Sequence, residues 1–194
     1  MELGKRIIKK IKNNPALKDL FLFAFVTIIF HFLYWNTNMD NWLFGCYTSG
    51  VFDFFTNIAY KGTVFLSNLF FTTPFDAIDS SIKFYTINVT QEKEYFCIMQ
   101  IVDSCSAVKQ LLQFFMIMLV VPNKFSKRMI YFLIGSVVVL FFNIIRTFSL
   151  TAVLLNFPDN YEFIHLWVGR PFHYIIIFIL WVIWIQFFAR PKKH

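Results

Sequence analysis

The residues best suited to chemistry in this sequence are Cys105, Arg146 and His165, with Ser106, Lys109, Asn143 and Gly169 beside them. Each lies in or next to a stretch that is otherwise apolar. Polar and ionisable groups in such surroundings are costly, so each needs a partner or a task. A helix starting near Cys105 would present unsatisfied N–H groups and a positive end that favour a thiolate, and Lys109 one turn on would add positive charge. The thiolate of a free cysteine is an effective nucleophile near neutral pH once such neighbours stabilise it. His165 could then act as general base and acid, and Arg146 could stabilise an oxyanion or hold a substrate carboxylate. The trio suits acyl transfer. Asn143 and Arg146 are three residues apart and share a helix face, so the amide is expected to orient the guanidinium towards the bundle interior.

The elements that must position these groups are membrane helices. Of 194 residues, 58% are hydrophobic, 15% are charged and 28 are Phe, which leaves too little polar surface for a water-soluble domain. The fold expected is an all-α membrane protein, a single domain over 1–194. Four transmembrane helices are expected, at 17–35, 106–121, 129–155 and 160–188. The basic segment 1–16 precedes the first, and no small-x-small cleavage site follows it, so it reads as an uncleaved helix. Twelve of the 18 lysines and arginines fall at the N-terminus, in the loop holding Lys124, Lys127 and Arg128, and in the tail 189–194. Nine of the 11 acidic residues fall between Asp40 and Glu162. Positive charge collects on the cytoplasmic side, so both termini are expected there and the insertion 36–104 outside. Arg146 lies 17 residues beyond Met129, about 26 Å along a helix, and so near the outer surface.

Within the insertion, the polar positions of 51–71 fall in an arc of about 160°, which marks an amphipathic helix expected in the outer interface. The stretch 82–102 alternates and is rich in β-branched and aromatic residues, so a β-hairpin is expected, feeding directly into Asp103 to Ser106. Asp159 and Glu162 have capping-box spacing for the last helix. Gly169 and Pro171 predict a kink that would swing His165 inward. Cys46 and Cys97 both fall in the exterior insertion, where a disulfide is permitted, and their pairing stays open. The net charge of +7 sits at chain ends and in one loop rather than in a stripe, which argues against nucleic acid as a partner. No cofactor or metal is implied, since Cys105 and His165 lack further ligands.

Other readings stay open at this point. Cys105 as a buried structural thiol and Arg146 as a snorkelling anchor need no chemistry. Arg170 and His173 rival Arg146 and His165. Ser106 and Lys109, three apart on a helix, could form a serine/lysine hydrolase. A non-enzymatic assembly or transport subunit could instead use Arg146 and His165 to bind an anion.

The segments Cys105-Ser106-Ala107, Phe142-Asn143-Ile144-Ile145-Arg146 and His165-Leu166-Trp167-Val168-Gly169 resemble, in order, the Cys-Ser-Gly, Asn-x-x-Arg and His-x-x-x-Gly signatures of the exosortase/archaeosortase family. The hairpin before the cysteine resembles that family too. The match covers roughly 86–188, and Ala107 stands where the family has glycine. The chain is similar to the short, reduced variants. The resemblance implies a membrane cysteine transpeptidase or protease in a bacterial or archaeal cell membrane, the inner one where there are two, with its active site near the outer face. Its substrates would be secreted proteins whose C-terminal sorting signal carries a hydrophobic helix and a basic tail. Cys105 would form a thioester with the substrate, and Arg146 and His165 would complete the catalytic set. The other expected partners are membrane lipid and a small membrane accessory protein.

Overall fold

The computed structural model describes residues 15–37, 48–89, 91–121 and 123–189. The basic N-terminal segment, Cys46 and the tail from 190 onward lie outside them. Among the described residues, three helices are long and apolar enough to cross a membrane: Leu17–Asn36, Phe125–Asn156 and Pro158–Phe188. The first corresponds to helix α1 (Pro15–Asn36), which is apolar all round. Phe25, Ile28 and Phe32 stand exposed along it, as on a helix that meets lipid. Phe23, on the opposite face, packs against Phe178 at 5.0 Å and Trp181 at 5.2 Å between ring centroids.

The expected second crossing is shorter than its apolar run. Helix α3 (Val108–Val120) has 13 residues, about 20 Å of rise, against a hydrocarbon layer of about 30 Å. It is therefore not among the three long helices. A 3₁₀ turn (Asp103–Cys105) precedes the run, and Ala107 at positive φ delays the helix start to Val108. After α3 the chain leads into α4 (Phe125–Asn156). Arg128 of α4 donates to the Leu119 carbonyl, an acceptor left over where α3 ends, at 3.4 Å and to the carbonyl of Asn123 beyond it at 2.8 Å. Gly135 of α4 lets Phe114 of α3 lie directly on the backbone, where a Cβ would meet the ring at 2.5 Å. The core joins α3 and α4 to α6 (Arg170–Trp184) through Phe114, Ile117, Met118, Val139, Ile177, Trp181 and Trp184.

Helix α2 (Thr48–Phe70) forms where the amphipathic pattern predicts it. Its small residues Thr56, Ala59, Thr63 and Ser67 are buried, while Asp53, Asn57, Lys61 and Asn68 are exposed. The polar arc is thus divided, with one half facing protein. At Gly62 a Cβ would lie 2.6 Å from Ile144 Cδ1, so the backbone of α2 lies directly against the Ile144 side chain of α4.

The expected hairpin is present as β2 (Ser81–Ile87) and β3 (Lys93–Gln100), and a third strand, β1 (Phe75–Ile78), extends it to an antiparallel sheet of order β1-β2-β3. Asp79 and Ser80 join β1 to β2 as a two-residue turn, both at positive φ, which is the mirror-image turn that fits strand twist. Ile82, Phe84, Met99 and Ile101 turn inward onto Ala59 of α2 and Leu150 of α4. On the exposed side Lys93 pairs with Asp76 at 2.6 Å and Tyr95 donates to the same carboxylate at 2.8 Å. These two bonds hold the Asp76 carboxyl below its ordinary range.

The last helix begins differently from expectation. Pro158–Asn160 form a 3₁₀ turn and no side-chain cap is made, so the Asp159/Glu162 capping box is absent. Helix α5 (Tyr161–Ile164) runs through a π-helical turn (His165–Gly169) into α6. The irregularity placed at Gly169 and Pro171 is this π turn, one extra residue in the ladder. Such turns re-aim side chains inside helices and recur at functional sites.

Candidate active site

The site is assembled where β3 ends. Ile101 and Val102 lead from the sheet into the 3₁₀ turn, and the N–H groups of Cys105 and Ser106 donate to the carbonyls of Val102 and Asp103, at 2.7 and 3.0 Å. Cys105 therefore closes the 3₁₀ turn and stands before α3, not on its first turn. Ala107 caps α3 at φ 64° and ψ 6°, in the left-handed region. That conformation favours glycine, which gives a physical reason for a glycine at this place in the resembling signature. Ser106 is buried, and its Oγ accepts from the Val108 N–H at 3.3 Å, so the hydroxyl supports the helix start.

Asn143 takes a different role from the one expected. Its Nδ2 donates to the backbone carbonyl of Cys105 at 2.6 Å, so the amide fixes the Cys105 backbone rather than the guanidinium. Asn143 is 1% exposed. Thr147 donates to the Asn143 carbonyl at 2.9 Å from one turn further on.

Arg146 is the common neighbour. Its guanidinium lies beside the Cys105 thiol and within electrostatic reach of Tyr161, His165 and His173. It is 7% exposed, and its Nε has no hydrogen-bond partner. Gly169 passes over its stem, where an added Cβ would meet Arg146 Cδ at an ordinary 3.8 Å. The π turn aims His165 to the same side, with its ring stacked on Tyr161 at 5.8 Å and 12°. Tyr161 packs in the apolar cluster that holds Cys105 and Leu150. Tyr161 was missed in the sequence, although its spacing of four from His165 was a signal that the two share a face.

A cavity of about 780 Å³ opens in front of these groups, lined by Arg146, His165, Ser104, Ser106 and Lys109 among others. Cys105 is 8% exposed and packs behind this wall, beside Arg146, which belongs to both. Lys109 turns away from the thiol. Its Nζ lies over the rings of Tyr34 and Trp35 of α1, at 4.8 and 4.5 Å, a pair of cation–π contacts. Of the rival residues, Arg170 lines the cavity, and His173 is buried one turn below Gly169 with both ring nitrogens lacking side-chain partners. Cys97, half-buried on β3, has a thiol that burial pushes up.

Ala107→Gly is expected to be neutral to mildly stabilising. It relieves positive-φ strain of about 1 kcal/mol, offset in part by a more flexible unfolded chain. Ala107→Val puts a β-branched residue at the same φ and should lower the melting temperature of the protein in detergent by several degrees. Equal melting temperatures for the two variants would show that the turn is not held in this conformation.

No protein-family model, curated protein or solved structure matches this chain.

Proposed function

We propose that the chain is a membrane cysteine transpeptidase or protease of the exosortase kind, acting on C-terminal sorting signals of secreted proteins. The observation that carries the proposal is the placing of Arg146 beside Cys105, with His165 on the same cavity wall and Asn143 holding the Cys105 carbonyl. In this reading the Cys105 Sγ attacks a backbone carbonyl of the substrate as His165 takes the thiol proton. The tetrahedral oxyanion then collapses, the C–N bond breaks, and His165 returns the proton to the leaving amine. A thioester remains on Cys105. An amine from the cell surface, or water, attacks it and regenerates the thiol. The oxyanion needs donors, and the N–H groups of Cys105 and Ser106 are already committed to the turn. Arg146 is then the donor at hand.

The same geometry favours cysteine over the serine/lysine dyad. The Ser106 hydroxyl is engaged with Val108, and the Lys109 ammonium sits over two rings of α1. Neither points the pair at one another as a dyad requires.

We also propose that α3, although short, crosses with α1, α4 and the last helix, which puts both termini in the cytoplasm. Its partners support this: Cys105 meets Asn143 at one end and Leu119 meets Arg128 at the other, so α3 runs through the layer that α4 occupies over these residues. Impermeant thiol reagents should label single-cysteine variants at position 88 from outside, and should not label one at Ser126. Labelling at 126 would invert the arrangement.

Hydroxylamine cleaves thioesters, which supplies the test of function. Cells expressing this chain together with a secreted protein that ends in a hydrophobic helix and basic tail should, in hydroxylamine, release that protein shortened and ending in a hydroxamate. An intact tail across such substrates would sink the proposal.

A further inference from the structure

The cavity in front of Arg146 carries more positive charge than the cysteine chemistry uses. Lys109 of α3, Arg146 of α4 and Arg170 at the start of α6 all line it, against one carboxylate among the described residues, Asp103, which accepts from Thr56 at 3.3 Å. Among the described residues the single ion pair joins Asp76 and Lys93, far along the sheet, so none of the three cations has a carboxylate partner there. Arg170 lies within electrostatic reach of both Lys109 and Arg146, and like charges gathered in partly buried surroundings repel. An anion in the cavity would reverse that repulsion. Arg146 adds a second sign of a ligand, since it is 7% exposed, faces the cavity, and keeps its Nε without a partner.

The chemistry of the anion follows from the donors. They come from three helices and therefore from three directions. A carboxylate, planar with two oxygens, is matched by one guanidinium fork, whereas a tetrahedral phosphate accepts from several sides and tolerates a lysine as a point charge. The place of the cavity says where that phosphate is held. His31, Tyr34 and Trp35, in the last turns of α1, form one wall, so the cavity opens at the end of an apolar helix of membrane-crossing length. Aromatic residues at such ends sit at headgroup level. Below them the exposed side chains of Ile28 and Phe32 continue as an apolar track suited to acyl chains. The volume of about 780 Å³ is in the range of small-molecule sites.

We infer that this cavity is a binding site for the phosphate headgroup of a membrane lipid, held by Lys109, Arg146 and Arg170, with the lipid's chains lying along α1. Lys109, fixed by the two rings of α1, ties the helix that carries the tail track to the cations that hold the head. The inference shares Arg146 with the proposed reaction but does not rest on the thiol chemistry, and its test varies only Lys109 and Arg170, so its failure would leave the proposed reaction untouched.

The test titrates the purified full-length chain in a non-ionic detergent with three probes: short-chain phosphatidylglycerol, inorganic phosphate, and a glutamate-bearing hexapeptide. Saturable binding of the lipid is expected, weakened about tenfold by Arg170→Gln and by Lys109→Gln, the loss of one charge-assisted hydrogen bond each. Arg170→Lys and Lys109→Arg, which keep the charge, should retain most of the binding, and melting temperatures identify any variant that fails to fold. Inorganic phosphate that binds as tightly as the lipid and displaces it would overturn the lipid assignment in favour of a soluble anion. Tighter binding of the peptide would overturn it in favour of a polypeptide carboxylate. Lipid binding indifferent to both charge-removing variants would make it adsorption to the apolar surface, and the site would be abandoned.

Discussion

Cys105→Ala is expected to abolish processing, by at least about 1,000-fold or roughly 4 kcal/mol of barrier, while the protein still inserts and accumulates. The two halves of this expectation have separate grounds. Cys105 packs as a small apolar residue among Ile101, Leu150 and their neighbours, and alanine fills most of that volume, so the stability cost is about 1 kcal/mol. The proposed reaction, in contrast, has no substitute nucleophile among the neighbours of Cys105. Ser106 is next in sequence, but its Oγ accepts from the Val108 N–H. Ser106→Ala should therefore lose a helix-start hydrogen bond, about 1 kcal/mol of stability, and keep most turnover. Processing of a co-expressed substrate, scored by the mass of its C-terminus, checks both. Activity in Cys105→Ala with none in Ser106→Ala would reverse the assignment.

The long helices were legible because twenty-odd apolar residues in a row have one economical structure in lipid. The sequence placed them at 17–35, 129–155 and 160–188, and the helical spans are Leu17–Asn36, Phe125–Asn156 and Pro158–Phe188. The run 106–121 exceeds its helix, Val108–Val120, by three residues because apolar composition does not report backbone conformation: Ala107 at positive φ cannot be read from its neighbours. β1 escaped notice because its four residues follow a proline and include Asp76, whose carboxylate is satisfied across the sheet by Lys93 and Tyr95. In the site, residue types and depth were readable, while directions were not. Spacing showed that Asn143 and Arg146 share a face of α4, but it could not show that Cys105, 38 residues earlier, would offer its carbonyl to the amide. Nor could it show that Lys109 would meet Tyr34 and Trp35 of another helix. Such pairings depend on how helices pack, and local periodicity carries no record of the partner.

Those same directions sharpen the expected result at Arg146. A snorkelling anchor would need only positive charge at the right depth, which lysine supplies equally well. The observed guanidinium is instead buried, lies beside the Cys105 thiol, and faces the cavity. The backbone donors of Cys105 and Ser106 are spent on the 3₁₀ turn, and Asn143 Nδ2 is spent on the Cys105 carbonyl, so a developing oxyanion has little else to meet. Lysine would bring a point charge with no planar fork. Arg146→Lys should accordingly lose roughly 2.7 to 4 kcal/mol of barrier stabilisation, a 100- to 1,000-fold fall in processing, with expression and insertion close to wild type. Single-turnover kinetics with wild type and variant at matched membrane abundance measure this directly. Near-normal turnover in Arg146→Lys would remove the guanidinium's specific role, and activity retained in Arg146→Ala would remove Arg146, and with it the Cys, Arg, His mechanism, from the chemistry altogether.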